Sequence, residues 1–161
     1  MTNEKDVVLV GFSADCVLIY FYDKVKNAIA IAHSGWRGTV LGIGGKVVKR
    51  MKEEFGSNPE DIVCGIAPAI GVDHFQVDIP VVTAFRQAYD WADKFIYPDE
   101  NMAERWFIDL HSINEEILVN EGIKRENIEN SRICTQCDPD RFFSHRVMGA
   151  KRGTLAGFMS L

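Results

Sequence analysis

The sequence predicts an α+β fold, a single domain over residues 1–161 with two sheets packed face to face. Three observations predict it. Short apolar runs recur along the whole chain, each the length of a buried strand. Only about three stretches carry the 3.6-residue apolar stripe of a helix. Many short strands with few helices favour stacked sheets over one parallel sheet. A length of 161 residues, with 47% apolar and 25% charged side chains, can build one ordinary core.

Taken in order, Val7–Phe12 is a continuous apolar run, and Cys16–Tyr22 is a second. Asp23-Lys-Val-Lys-Asn27 reads as a turn, and Ala28–Ala32 as the antiparallel return strand. Val40, Ile43, Val47, Val48 and Met51 mark a helix over 40–55, with Gly42, Gly44 and Gly45 loosening its start. Gly56-Ser-Asn-Pro59 ends it. Ile62–Ala67 is a further strand, with Cys64 as plain core. Asp78 is placed to cap a helix through Val81, Val82, Phe85 and Tyr89. Residues 90–105 read as polar and irregular. Trp106–Leu110 reads as a strand, and Asp109 and Ser112 are alternative caps for a helix through Ile113, Ile117 and Leu118. Thr154–Leu161 closes the chain as a strand.

The net charge of -5 leaves no electrostatic footprint for nucleic acid, and no apolar run is long enough to span a bilayer. Neither nucleic acid nor membrane is therefore an expected partner, and nothing sets an oligomeric state. The opening Met-Thr-Asn-Glu-Lys-Asp is no signal peptide, and four cysteines are too few for a disulfide scaffold. The expectation is a cytoplasmic protein with reduced thiols. There is no Walker loop and no Gly-x-Ser-x-Gly elbow.

The chemistry concentrates between Ala14 and Thr39. Cys16 opens one strand and His33 closes the next, so a hairpin would bring a soft sulfur and an imidazole together. Asp15 stands beside the thiol as a candidate base, or as a carboxylate that orients His33. Ser34-Gly-Trp-Arg-Gly-Thr39 reads as an anion-binding turn. In it Gly35 and Gly38 let backbone N–H groups approach a ligand, Arg37 offers a planar fork, and Thr39 caps the following helix. The bland alternatives are a buried Cys16 and a surface Arg37. Later come Cys134-Thr-Gln-Cys137, redox-active or half of a zinc site, and Phe142-Phe-Ser-His-Arg146. His74 and His145 are the other histidines expected near Cys16.

Ala14-Asp-Cys16, Ala32-His-Ser-Gly-Trp-Arg-Gly-Thr39, Ala67-Pro-Ala-Ile-Gly71, Cys134-Thr135 and Phe142–Arg146 occur in this order. Together they resemble the laccase-domain (YfiH-type) family, also called polyphenol oxidase-like or purine nucleoside phosphorylase-like. The resemblance implies a layered α/β/β/α sandwich. It implies a metal, zinc or alternatively copper, held by Cys16, His33 and a further histidine in a Gln-Val-His-Gly-like segment upstream, which is not in this sequence. The first residues resemble the interior of that domain, so an N-terminally truncated chain is expected. Ala67-Pro68 replaces the usual Gly-Pro, and Asp73-His74 stands where cysteine is frequent. The implied substrates are purine nucleosides and phosphate, with phosphorolysis and adenosine deamination as reactions. Asp15, Cys16, His33 and Arg37 would be catalytic. Ser34, Gly35, Arg37, Gly38, Thr39 and Arg146 would bind substrate. Copper-dependent phenol oxidation is one alternative, and four histidines are few for a multicopper cluster. A catalytically silent nucleoside- or anion-binding module, lacking the upstream histidine ligand, is the other.

Overall fold

A computed structural model describes all 161 residues. The centre is a four-stranded sheet. Strand β2 (Val17–Asp23) pairs antiparallel with β3 (Ala28–Ser34) and with β4 (Ile62–Ile66), and β8 (Ile128–Asn130) runs parallel to β4. The Asp23 carboxylate sets the β2–β3 turn by accepting the N–H groups of Val25 and Lys26 at 2.8 and 2.9 Å.

A second layer lies on one face. Strand β1 (Leu9–Ser13) pairs antiparallel with the last strand, β9 (Leu155–Met159). Gly11 and Gly157 pair across this ladder and face the central sheet. A Cβ on Gly157 would fall 1.8 Å from the Tyr20 hydroxyl, so only glycine lets the layers come this close. Val10, Phe12 and Phe158 lie exposed on the ladder's outer face.

The other face of the central sheet carries Val17, Ile19, Phe21 and the small Ala28, Ala30 and Ala32, all buried. Those alanines admit α1 (Trp36–Val40) and α2 (Ile43–Phe55) close to β3. The single helix expected over 40–55 is thus two. Gly42, at φ 66°, breaks the run in the left-handed region that glycine tolerates. Thr39 is inside α1 and caps nothing: its hydroxyl is turned back toward the carbonyl groups of Ser34 and Gly35 at 3.2 Å.

Packed into the same core through Val77, Ile96 and Ile108, β5 (Gln76–Asp78), β6 (Ile96–Pro98) and β7 (Arg105–Ile108) form a three-stranded antiparallel sheet in the order β5-β7-β6. Strand β6 falls in the stretch read as irregular. At three residues it is too short to show an alternating pattern. The helix α3 (Ile79–Ala88) follows β5, with Asp78 at its N-cap but making no side-chain cap bond. The helix α4 (Leu110–Asn120) is capped by Asp109, which accepts the N–H of Ser112 at 3.0 Å. A short α5 (His145–Met148) precedes β9. No helix is long and apolar enough to cross a membrane.

Candidate functional site

The hairpin register positions the thiol and the imidazole. Side chains alternate along a strand, so Cys16, one residue before β2, shares a face with Leu18. Leu18 pairs directly with His33. Cys16 and His33 are therefore diagonal neighbours on one face. A Cβ on Gly35 would lie 2.9 Å from Cys16 Sγ and 3.5 Å from His33 Nε2, so both groups converge on a space that glycine leaves open. His33 Nδ1 is 2.8 Å from the carbonyl oxygen of Phe12. A carbonyl only accepts, so Nδ1 carries the proton and Nε2 presents its lone pair. The orienting group is thus the β1 backbone and not Asp15. Burial raises the Cys16 pKa, the Asp15 charge raises it further, and Arg152 opposes both.

Asp15 is a hub. It adopts φ 78°, a conformation aspartate tolerates better than most residues. One carboxylate oxygen accepts the Thr135 hydroxyl at 2.7 Å. The other accepts the Ser144 hydroxyl at 3.1 Å and the Arg146 N–H at 2.8 Å. Three donors commit its lone pairs to holding two remote loops, which leaves little of a general base.

Cys16 and Asp15 open onto a cavity of about 620 Å³, in the range of small-molecule sites. Its basic groups are Arg105, Arg146, Arg152 and His145, and its aromatic surfaces are Phe75 and Trp36. Arg146 lies over the Phe75 ring and donates to the carbonyl of Gln76 at 3.3 Å. Arg152 Nε–H donates to His145 Nδ1 at 3.2 Å, which puts the proton of a neutral His145 on Nε2. Arg105 and Arg152 were not singled out from the sequence. Arg152 adjoins Lys151 between Gly149 and Gly153, a basic stretch, whereas nothing in the sequence around Arg105 points to a ligand.

The turn after His33 is built differently from the anion cradle expected of it. Ser34 and Thr39 are fully buried. Ser34 donates to Asn114 Oδ1 at 2.7 Å, and Asn114 donates to the Thr39 hydroxyl at 3.2 Å. These side chains tie α1 to α4 and do not face the cavity. Gly38 packs against the His33 carbonyl and Ile43. Arg37 is exposed, stacked 4.3 Å from the Trp36 ring centroid, and does not line the cavity. Among the expected substrate residues, Arg146 reaches the cavity wall and Gly35 stands beside Cys16.

His145 does share the cavity with Cys16, but His74 does not. His74 Nδ1 lies 3.5 Å from Cys134 Sγ and 3.6 Å from Cys137 Sγ. The ligand atoms of these three residues lie within 4.8 Å of one another, forming a His/Cys group that could hold a metal ion. Cys64 is buried, and its thiol pKa is pushed well above the ordinary value by burial alone.

With this geometry in hand, the chain belongs to the multi-copper polyphenol oxidoreductase laccase family, whose model matches residues 1–161. It is 39% identical over 160 residues to the purine nucleoside phosphorylase YlmD of Bacillus subtilis (strain 168), covering 99% of this chain and 57% of that protein. It is 33% identical to the adenosine deaminase RL5 of an unknown prokaryotic organism, covering 95% of this chain and 58% of that one. The Bacillus licheniformis protein YfiH superposes with a TM-score of 0.94 at 37% identity, over 99% of this chain and 59% of that chain. The chain thus spans somewhat over half the length of these relatives.

Proposed function

We propose that this chain carries a nucleoside and phosphate site of a purine nucleoside enzyme. Such an enzyme cleaves adenosine, inosine, guanosine and methylthioadenosine to the free base and ribose 1-phosphate, and deaminates adenosine as a second reaction. The cavity carries this reading: it joins Cys16 to three guanidinium groups and two aromatic faces. Guanidinium forks suit phosphate, and aromatic faces suit a purine. Two relatives' names, a purine nucleoside phosphorylase and an adenosine deaminase, point the same way.

In phosphorolysis a phosphate oxygen forms a bond to the anomeric carbon while the glycosidic bond breaks toward the base, which takes up a proton. Arg146 and Arg152 hold the phosphate and offset its charge as the sugar becomes cationic. The base takes its proton from solvent, while His145 Nε2–H donates a hydrogen bond to the departing purine, and Phe75 and Trp36 orient it. Cys16 and His33 fit zinc as two of its ligands, because Sγ and a free Nε2 converge beside Gly35. Zinc bound there would supply Lewis acidity and an activated water for deamination. The four histidines have four different partners, namely Phe12, the Cys134–Cys137 pair, Asn130 and Arg152, which disfavours a multi-histidine copper cluster within this chain.

The test is turnover of inosine and adenosine with and without phosphate, read as free base against deaminated nucleoside. Arg146→Lys keeps the charge but loses the planar fork. It is expected to lower phosphorolysis steeply and deamination much less, whereas Arg37→Lys leaves both near wild type. Equal loss of both reactions in Arg146→Lys, or phosphorolysis sensitive to Arg37 alone, contradicts the assignment.

A further inference from the structure

We infer that His74, Cys134 and Cys137 form a second metal site, one that takes a zinc-type divalent ion and clips the cavity wall in place. It shares no residue with the Cys16–His33 pair. Its distances carry the inference. With bond lengths of about 2.3 Å to sulfur and about 2.0 Å to nitrogen, neighbouring ligands of a tetrahedral zinc stand about 3.5 Å apart. The observed separations from His74 Nδ1 to the two sulfurs are 3.5 and 3.6 Å. One imidazole nitrogen facing two sulfurs at these distances is the arrangement of ligands around a single ion, whereas an isolated S–H···N hydrogen bond needs only one sulfur.

A further contact orients the Cys134 sulfur. The Gly71 N–H donates to Cys134 Sγ at 3.2 Å, as backbone amides do to the thiolates of metal sites. Two soft thiolates with one imidazole select zinc-like ions over magnesium or calcium. Binding releases the thiol protons to solvent, and the ion's remaining position is left for water.

The placement explains the purpose of the clip. Its ligands come from two segments already joined by a parallel bridge between Ala69 and Cys134. Thr135, between the two cysteines, is one of the three donors to Asp15. Phe75, next to His74, is on the cavity wall. One ion at this point therefore ties the loop before β5 to the turn that buttresses Asp15, without touching substrate.

The test is made in the Cys16→Ser chain, fully reduced, so that failure of the Cys16–His33 assignment does not affect it. Zinc is titrated against a competing chromophoric chelator, and Co²⁺ is used as a spectroscopic probe for sulfur-to-metal charge transfer. One equivalent of zinc is expected to bind, with charge-transfer absorption and a raised unfolding midpoint. Adding Cys137→Ser or His74→Ala should weaken binding by about a hundredfold or more, since removing a direct ligand costs at least as much as disturbing its support. Cys137 is exposed, so its variant is expected to fold with an unchanged metal-free midpoint. Absence of zinc binding in the reduced Cys16→Ser chain overturns the inference, and so does undiminished binding in both added variants. A Cys134–Cys137 disulfide as the form that persists under zinc and reductant also overturns it.

Discussion

The two sulfur–imidazole groups of this molecule are assembled in opposite ways. Cys16 and His33 are brought together by one hairpin, whose seven-pair register fixes them on one face. His74, Cys134 and Cys137 meet across sixty residues of chain, through one parallel bridge and the loops around it. The Asp15 hub belongs to the second kind, with partners 120, 129 and 131 residues away. The hairpin pair should therefore survive damage that dissolves the remote loops, and each group can be disturbed separately.

The largest effect is expected at Asp15. Asp15→Ala removes the acceptor for three donors and places a less tolerant residue at φ 78°. Loss of about 3 kcal/mol is expected in chemical denaturation, because donors left unsatisfied in the interior are costly. Hydrogen exchange should rise in residues 131–152 while the β2–β3 amides stay protected. Uniform exchange across both regions would break the distinction.

A smaller effect is expected at the hairpin's own turn. Burial works against ionisation of Asp23, but the Ser57 hydroxyl beside it, the N–H groups of Lys26 and Val25 and the charge of Lys26 outweigh this, so its pKa is lowered. A lowered native pKa means the unfolded chain binds the proton more readily. The stabilisation is therefore full above the ordinary carboxyl value and lost as pH falls through the lowered one. Asp23→Asn is expected to cost about 1 kcal/mol at neutral pH and to flatten the acid limb of the stability curve. An acid limb unchanged from wild type would remove Asp23 from the turn's energetics.

The smallest effect on stability, and the sharpest on the site, belongs to Gly35→Ala. Gly35 has φ -61°, which alanine adopts freely, so the cost to the fold is confined to the cap and to crowding at Cys16 and stays below about 1 kcal/mol. The added Cβ would crowd Cys16 Sγ and the His33 ring edge. Calorimetry should then show zinc binding lost at Cys16–His33 and kept at His74–Cys134–Cys137. Equal loss at both sites would mean that they are not independent.

The same contrast governs what the sequence made legible. The hairpin, the central strands and the convergence of Cys16 with His33 follow from alternation and a turn, which are local. Arg146 was found through its neighbours Phe142–His145, but its bond to Asp15 was not, because pairing over 131 residues leaves no local periodicity. Ser34, Arg37 and Thr39 were misread as ligand-facing for a related reason. A glycine-bounded turn has the same composition whether its hydroxyls face a cavity or, as here, Asn114 on α4. The cluster around His74 was missed as a unit because its two halves lie in different loops, each weak evidence alone.

The most direct measurement is anomalous scattering at the zinc edge from crystals of the zinc-loaded protein. The expected result is a peak bonded to Cys16 Sγ at about 2.3 Å and to His33 Nε2 at about 2.0 Å. A zinc-loaded crystal with no density between these two atoms, or with the Cys16 thiol turned away from His33, would contradict the central claim.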